Sequence, residues 1–285
     1  MLKKKFLIFI PILFLTILFL SSSIQTADLS FKPHDILSGL FGSKKNEDFY
    51  KTLPLKADGS FSLNNVNGSI NISTWKKEEV EINAVKTTKH DVKQLKEVKI
   101  EIESTPDSIF VNTIYPKRRN IRVSVNYEIK VPEDVNLEKI KTVNGTVVMS
   151  GPLGDVKAST TNGRVNLEGA SGIFYLSTTN GSIGAFDVRG ELEAHTTNGS
   201  IELEMDTLED EVKAETVNGS ITLRLRTQKI DADLKARTVN GKIQMDFPVT
   251  FKTIQKSKRT LEGQIGQGGV GIYLKTVNGS IRITK

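Results

Sequence analysis

The stretch Thr160-Thr161-Asn162-Gly163-Arg164-Val165-Asn166-Leu167 returns as Thr178-Thr179-Asn180-Gly181-Ser182-Ile183-Gly184-Ala185, and again as Thr196-Thr197-Asn198-Gly199-Ser200-Ile201-Glu202-Leu203. The frame Thr-(Val/Thr)-Asn-Gly-x-(Ile/Val) also surrounds Asn144-Gly145, Asn218-Gly219, Asn240-Gly241 and Asn278-Gly279. An eighth pair, Asn67-Gly68, lacks only the threonine. Successive asparagines lie 77, 18, 18, 18, 20, 22 and 38 residues apart. Self-similarity at a period near twenty predicts one supersecondary unit stacked on its copies.

Aligned on the asparagine, the repeats form columns. Val156, Phe174, Leu192, Val212, Leu234 and Ile272 stand six residues before it, and Ala158, Leu176, Ala194, Ala214, Ala236 and Leu274 stand four before it. Threonine stands two before it. Val147, Val165, Ile183, Ile201, Ile221, Ile243 and Ile281 follow three after, with Met149, Leu167, Ala185, Leu203, Leu223, Met245 and Ile283 at five after. Polar or variable positions alternate with these columns. Strand residues two apart share a face, so one set points inward and the other into solvent.

Asn and Gly tolerate left-handed backbone angles, so each pair reads as a tight corner between two short strands. Length varies instead in a second corner, at 168–172, 187–190, 207–211 and 227–231. Two folds satisfy this arithmetic. An antiparallel meander would leave one apolar face bare, whereas a solenoid buries its inward columns against itself. The favoured expectation is an all-β chain, a β-solenoid (single-stranded β-helix) with coils of 18 to 22 residues. Stacked asparagines would then hydrogen-bond along the column, and each buried threonine hydroxyl would find a threonine one coil away.

The remainder divides around this body. Lys3, Lys4 and Lys5 precede the apolar run from Phe6 to Leu20 and then Ser21-Ser22-Ser23, so 1–27 reads as a signal peptide or a retained membrane anchor. The polar, Gly- and Pro-containing stretch 28–50 reads as a linker. Looser alternation over 51–137 reads as an N-terminal β cap with the first wide coils, or else a separate small β domain. The regular repeats fill 138–285, with a loop or hairpin inserted near 247–269. Trp75, the single tryptophan, is expected to close the wide end of the core.

The formal charge is +6, and it falls to +3 once Lys3, Lys4 and Lys5 leave with a signal. No basic stripe of the kind nucleic acid requires is visible. The chain has no cysteine, so burial and backbone pairing must hold an exported fold together without disulfides. No catalytic, cofactor-binding or metal-binding residues are expected. His195 falls in an outward column whose chemistry changes at every coil, and no nucleophile elbow or metal-spaced histidine cluster occurs. The acidic residues Glu193, Glu202, Glu204 and Glu215 lie among lysines, as on a solvated β face. Tyr175 and Tyr273 share an outward column but are separated by charges. The candidate partner-binding residues are two basic loops, Lys117-Arg118-Arg119 and Lys252, Lys256, Lys258 and Arg259.

The run Val66-Asn67-Gly68-Ser69-Ile70, the Val131-Pro132 step, the Thr-(Thr/Val)-Asn-Gly coils and the closing Ile272–Ile281 segment resemble the bacterial family labelled "putative adhesin", over roughly 50–285. The resemblance implies a β-solenoid domain in an extracytoplasmic, envelope-associated protein without enzymatic activity. Some relatives are linked to envelope-stress responses, and the family offers no binding residues to transfer. The expected function is an adhesin-like binding scaffold for an envelope or extracellular ligand, either a protein or an anionic polymer, touching membrane only through its N-terminal segment where that segment is uncleaved. A regulatory envelope component acting through a protein partner and a polysaccharide-active β-helix enzyme are the alternatives.

Overall fold

Alternation sets the strand faces before any pairing forms. In Val212–Asn218 the side chains of Val212, Ala214 and Thr216 are buried, while Lys213, Glu215 and Val217 point outward. The computed structural model describes residues 44–285 apart from 118, 119, 228, 229 and 247–250, with the backbone alone for 251–256. The expected signal or anchor at 1–27 lies outside these residues, as does most of the expected linker. The last part of that linker is structured, because Lys45–Pro54 is a ten-residue strand.

Two sheets meet at the Asn-Gly corners. Strands that end at the asparagine form a leading sheet: Ser171–Asn180, Val212–Asn218, Ala232–Asn240 and Val270–Asn278. Strands that follow the glycine form a trailing sheet: Val165–Glu168, Ile201–Met205, Ile221–Leu225 and Ile281–Thr284. The long strand Ile183–Asn198 serves both. Pairing between coils is parallel and in register: Phe174 beside Leu192 beside Val212, and Ile183 beside Ile201 beside Ile221. Like side chains therefore stack over like, and the inward columns form the core. Parallel pairing excludes the meander and makes the all-β fold solenoid-like.

The order of coils in space departs from their order in sequence at both ends. The asparagines stack as 67, 144, 162, 180, 198, 218, 278, 240. The last coil of the chain is thus inserted between the two that precede it. At the other end, Ser60–Asn64 lies between Ser108–Ile114 and Asn136–Lys141, so the first coil is also one level in from its end. Antiparallel strands finish the stack. Glu79–Thr88 and then Lys45–Pro54 extend the trailing sheet beyond Ser124–Pro132, and Lys99–Ser104 extends the leading sheet. At the opposite end the hairpin Phe251–Lys256 and Thr260–Ile265 occupies the 38-residue gap.

The wide end is filled by Phe61, Tyr127, Leu55 and Leu95, the last from the short helix Lys93–Glu97. Tyr127 brings its hydroxyl inside and satisfies it on Thr113 Oγ1 at 2.7 Å; burial drives its pKa well above the ordinary phenol value. Trp75 does not close this core, contrary to expectation. It is half-buried, donates from Nε1 to the Glu79 carbonyl at 2.7 Å, and carries Lys77 Nζ 4.4 Å above its ring.

The corner chemistry also corrects two expectations. The motif glycines after Gly68 do not adopt left-handed angles; those occur at the second corner, at Gly169, Asp187 and Gly190. Glycine is required at Asn-Gly by proximity: a Cβ on Gly163 would lie 1.9 Å from the Gly145 carbonyl oxygen. The threonines do not bond one another either. Thr160 Oγ1 donates to that same Gly145 oxygen at 3.0 Å, and Thr196 to Gly181 at 2.9 Å. Thr and Gly of one motif therefore converge on one carbonyl of the coil beneath. In the first coil Asn65 takes the threonine's place, donating to the Val125 carbonyl at 2.8 Å, the oxygen against which Gly68 packs.

The asparagine column is a continuous ladder. Each Nδ2 donates to the next Oδ1 from Asn240 through Asn278, Asn218, Asn198, Asn180, Asn162 and Asn144 to Asn67, at 2.7–2.9 Å. Asn198→Asp replaces a donor by an acceptor-only carboxylate facing Asn180 Oδ1. The exposed ladder limits the expected loss to about 1 kcal/mol, or a fall of roughly 2–4 °C in melting temperature. An unchanged thermal transition would show that the ladder contributes nothing to stability.

Candidate functional site

The outer face of the leading sheet carries two rows of side chains, ordered by strand pairing. One row reads Lys157, Tyr175, Glu193, Lys213, Tyr273, Lys235; the other reads Lys141, Ser159, Ser177, His195, Glu215, Lys275, Arg237. Ser159 and Ser177 are the small members of their row. Between Lys141 and His195, and beside Lys157 and Tyr175, they leave a groove of ≈ 460 Å³ that also touches Glu138 and Lys139. Shallower depressions continue it toward Asp155 and Ile173 on one side and toward Lys275 and Val277 on the other.

Electrostatics divide this groove in two. Toward its later coils the polar groups are engaged with one another. Glu193 Oε1 meets Lys213 Nζ at 2.8 Å and His195 Nε2 at 2.7 Å, and Glu215 lies 3.5 Å from His195 Nδ1. Lys213, and then His195, hold the Glu193 carboxyl below the usual carboxylate range, and Glu193 in turn raises Lys213. At the earlier coils Lys139, Lys141 and Lys157 are exposed and make no ion pair among the described residues. Three ammonium groups without an ion pair thus flank two serine hydroxyls and the exposed Tyr175, with the Glu138 carboxylate beside them. This arrangement suits an extended anion with hydroxyls or a sugar ring to stack. Among the described residues no three His, Asp or Glu side chains cluster as a metal ion would require.

The site residues expected from sequence are placed elsewhere, whereas Tyr175, Glu193 and His195, expected to be no more than a solvated face, line the groove. The Asn-Gly pairs form the corner ladder and line none of these grooves. Lys117 lies in the loop between Ile114 and Ser124 near the first end of the stack. Lys258 and Arg259 are exposed in the turn of the hairpin at the other end, which follows the strand holding Lys252 and Lys256. Arg118 and Arg119 lie outside the described residues. The two basic loops therefore do not come together. Lys141, Ser159, Ser177 and His195 were visible in sequence as one outward column, but its unpaired lysines emerge only when neighbouring strands are known.

Residues 34–284 match the model of the Toastrack DUF4097 family, and the chain belongs to that family. This agrees with the resemblance read from the coil motif. Solved structures with detectable likeness include a "putative cell adhesion protein" from Clostridium sporogenes, 14% identical over 84% of this chain and 99% of that one, with a TM-score of 0.37. A "putative adhesin" from Parabacteroides merdae is 12% identical over 84% and 97%, at 0.34. Another from Bacteroides fragilis is 11% identical over 84% and 96%, at 0.30. No curated protein matches.

Proposed function

We propose that this Toastrack-family chain is an exported envelope scaffold that binds an anionic polymer along the outer face of its leading sheet, without turning it over. Export rests on the Lys3–Lys5 and Phe6–Leu20 pattern. The binding assignment rests on one observation: Lys139, Lys141 and Lys157 stand together, unpaired, at the rim of a groove floored by Ser159 and Ser177. A surface cation without a partner attracts any anion weakly, but several along one line bind a polyanion through their sum, and salt screens that attraction.

The test immobilises the full chain and titrates a phosphodiester polymer, a uronate glycan and a neutral glycan. The two anionic polymers are expected to bind saturably and to weaken as salt rises. Lys141→Glu with Lys157→Glu should weaken binding about tenfold, equivalent to about 1.4 kcal/mol. Lys258→Glu with Arg259→Glu should leave it unchanged. Sensitivity confined to the Lys258 pair would move the site to the hairpin. Cleavage of either glycan would replace the scaffold reading with an enzymatic one, and binding to none would leave a protein partner.

A further inference from the structure

The longest open sheet edge among the described residues is Lys45–Pro54, paired on one side only, with Glu79–Thr88. An edge of this length presents a row of unmet N–H and C=O groups, a template for another strand. It also carries Tyr50, which at 62% exposure is the barest large hydrophobic side chain described. Charges normally deter such an edge from pairing, and here Glu47, Asp48 and Lys51 supply them. Their spacing, however, matches a particular partner.

We infer that this edge docks a second copy of itself, antiparallel, about a two-fold axis through Phe49. A two-fold perpendicular to the sheet keeps each face in common, so residues whose numbers sum to an even total stand opposite. Centring on Phe49 places Glu47 opposite Lys51 of the other copy, twice, with Asn46 opposite Thr52 and Asp48 opposite Tyr50. Glu47 Oε1 accepts from Lys86 Nζ at 2.8 Å, which leaves Oε2 for the second lysine. Lys51 makes no ion pair within its own chain among the described residues. Opposite charges directly across an antiparallel pair stabilise it, and diagonal neighbours remain within aromatic reach, so the two Tyr50 rings cover one another. Pro54, which has no N–H to donate, falls beyond the paired span.

The other described edges offer less: Phe251–Lys256 and Lys99–Ser104 have six residues each against ten. Ile243–Met245 has three residues. On Lys99–Ser104, centring on Ile102 sets Glu101 against Glu103, and centring on Glu101, which would pair Lys99 with Glu103, sets the two Glu101 carboxylates against each other. A foreign strand meeting Glu47 and Lys51 would need the reverse charge order, which the antiparallel copy supplies by symmetry.

Because the chain has no cysteine, introduced thiols report the register without background. Full-length Asp48→Cys and Tyr50→Cys chains in mild detergent are oxidised separately and as a mixture, and disulfide-linked dimer is read on a denaturing gel. Opposed antiparallel residues have Cα atoms about 4.5–5.5 Å apart, within disulfide range. The mixture should give at least tenfold more linked dimer than either variant alone. Adding Lys51→Glu to both chains should abolish that excess. Placing Lys51→Glu on one chain and Glu47→Lys on the other should restore it, with thermal unfolding confirming that every variant folds. Equal yields alone and mixed, or indifference to the charge changes, would overturn the inference. Polymer binding by the groove is unaffected by either result, since no groove residue is altered.

Discussion

A chain ended at Gly269 is expected to lose about 6–12 kcal/mol of folding stability, comparable with the whole margin of an ordinary domain. The missing segment, Val270–Lys285, supplies Ile272, Leu274, Ile281 and Ile283, each no more than 1% exposed, and burial of one such side chain is worth about 1.5–3 kcal/mol. In a solenoid wound in sequence order, removing the last coil would shorten the rod and expose the coil beneath. Here that coil sits between two others. Its loss also strips Ala232–Asn240 of its parallel partner, of the Thr238 Oγ1 bond to Gly279 and of the Asn240 bond to Asn278. Hydrogen exchange separates the two cases. Amides of 232–245 should lose their protection although every residue there is still present, whereas those of 165–205, two to four coils away, should keep theirs. Retained protection at 232–245 would mean that this coil docks directly on Val212–Leu225, and that the inserted order is dispensable.

That order could not be read from the sequence, and the repeat itself is the reason. The inward columns and the asparagine register follow from side-chain periodicity, which is local, and the structure places them as the periodicity requires. Which coil lies on which is a separate matter, because all coils present the same Thr, Asn, Gly and Ile surface. Interchanging the levels of Asn240 and Asn278 leaves every column intact. Only loop length hints at it, in the 38-residue gap that holds the Phe251–Lys256 and Thr260–Ile265 hairpin. The groove suffers from the same blindness. Lys141, Ser159 and Ser177 align in sequence, but the bulge that brings both Glu138 and Lys139 to the rim is a register shift between Asn136–Lys141 and its neighbours, which no periodicity announces. The role of glycine was misassigned for a related reason. Asn-Gly signals a turn in a hairpin, and only a neighbouring coil reveals that the constraint comes from above and below.

Gly199→Ala is expected to cost about 4 kcal/mol or more, in the range reserved for disrupted packing. The added Cβ would fall 1.9 Å from the Gly181 carbonyl oxygen and 2.4 Å from its carbon. Both are backbone atoms, so no rotamer change relieves the overlap. The coils cannot part locally either, because Asn198 is bonded at 2.8 Å to Asn180 below and to Asn218 above, and Gly199 N–H is held at 3.0 Å by the Asn218 carbonyl. The Gly181 oxygen is also the acceptor for Thr196 Oγ1, so the methyl group would break a partly buried hydrogen bond while opening the stack. Gly199 has no left-handed φ, and alanine therefore meets no intrinsic backbone penalty there; the whole loss would come from the coil beneath. Ser200→Ala, exposed one residue later, should stay within about 0.5 kcal/mol. Chemical denaturation of the two variants decides the matter. A small loss at Gly199 would show that the spacing between coils yields, and that glycine serves the corner's angles after all. A large one, repeated at Gly163 and Gly219 where the same 1.9 Å approach recurs, would establish that Thr and Gly of each motif form one clamp on a single carbonyl, and that the clamp fixes how closely the coils stack.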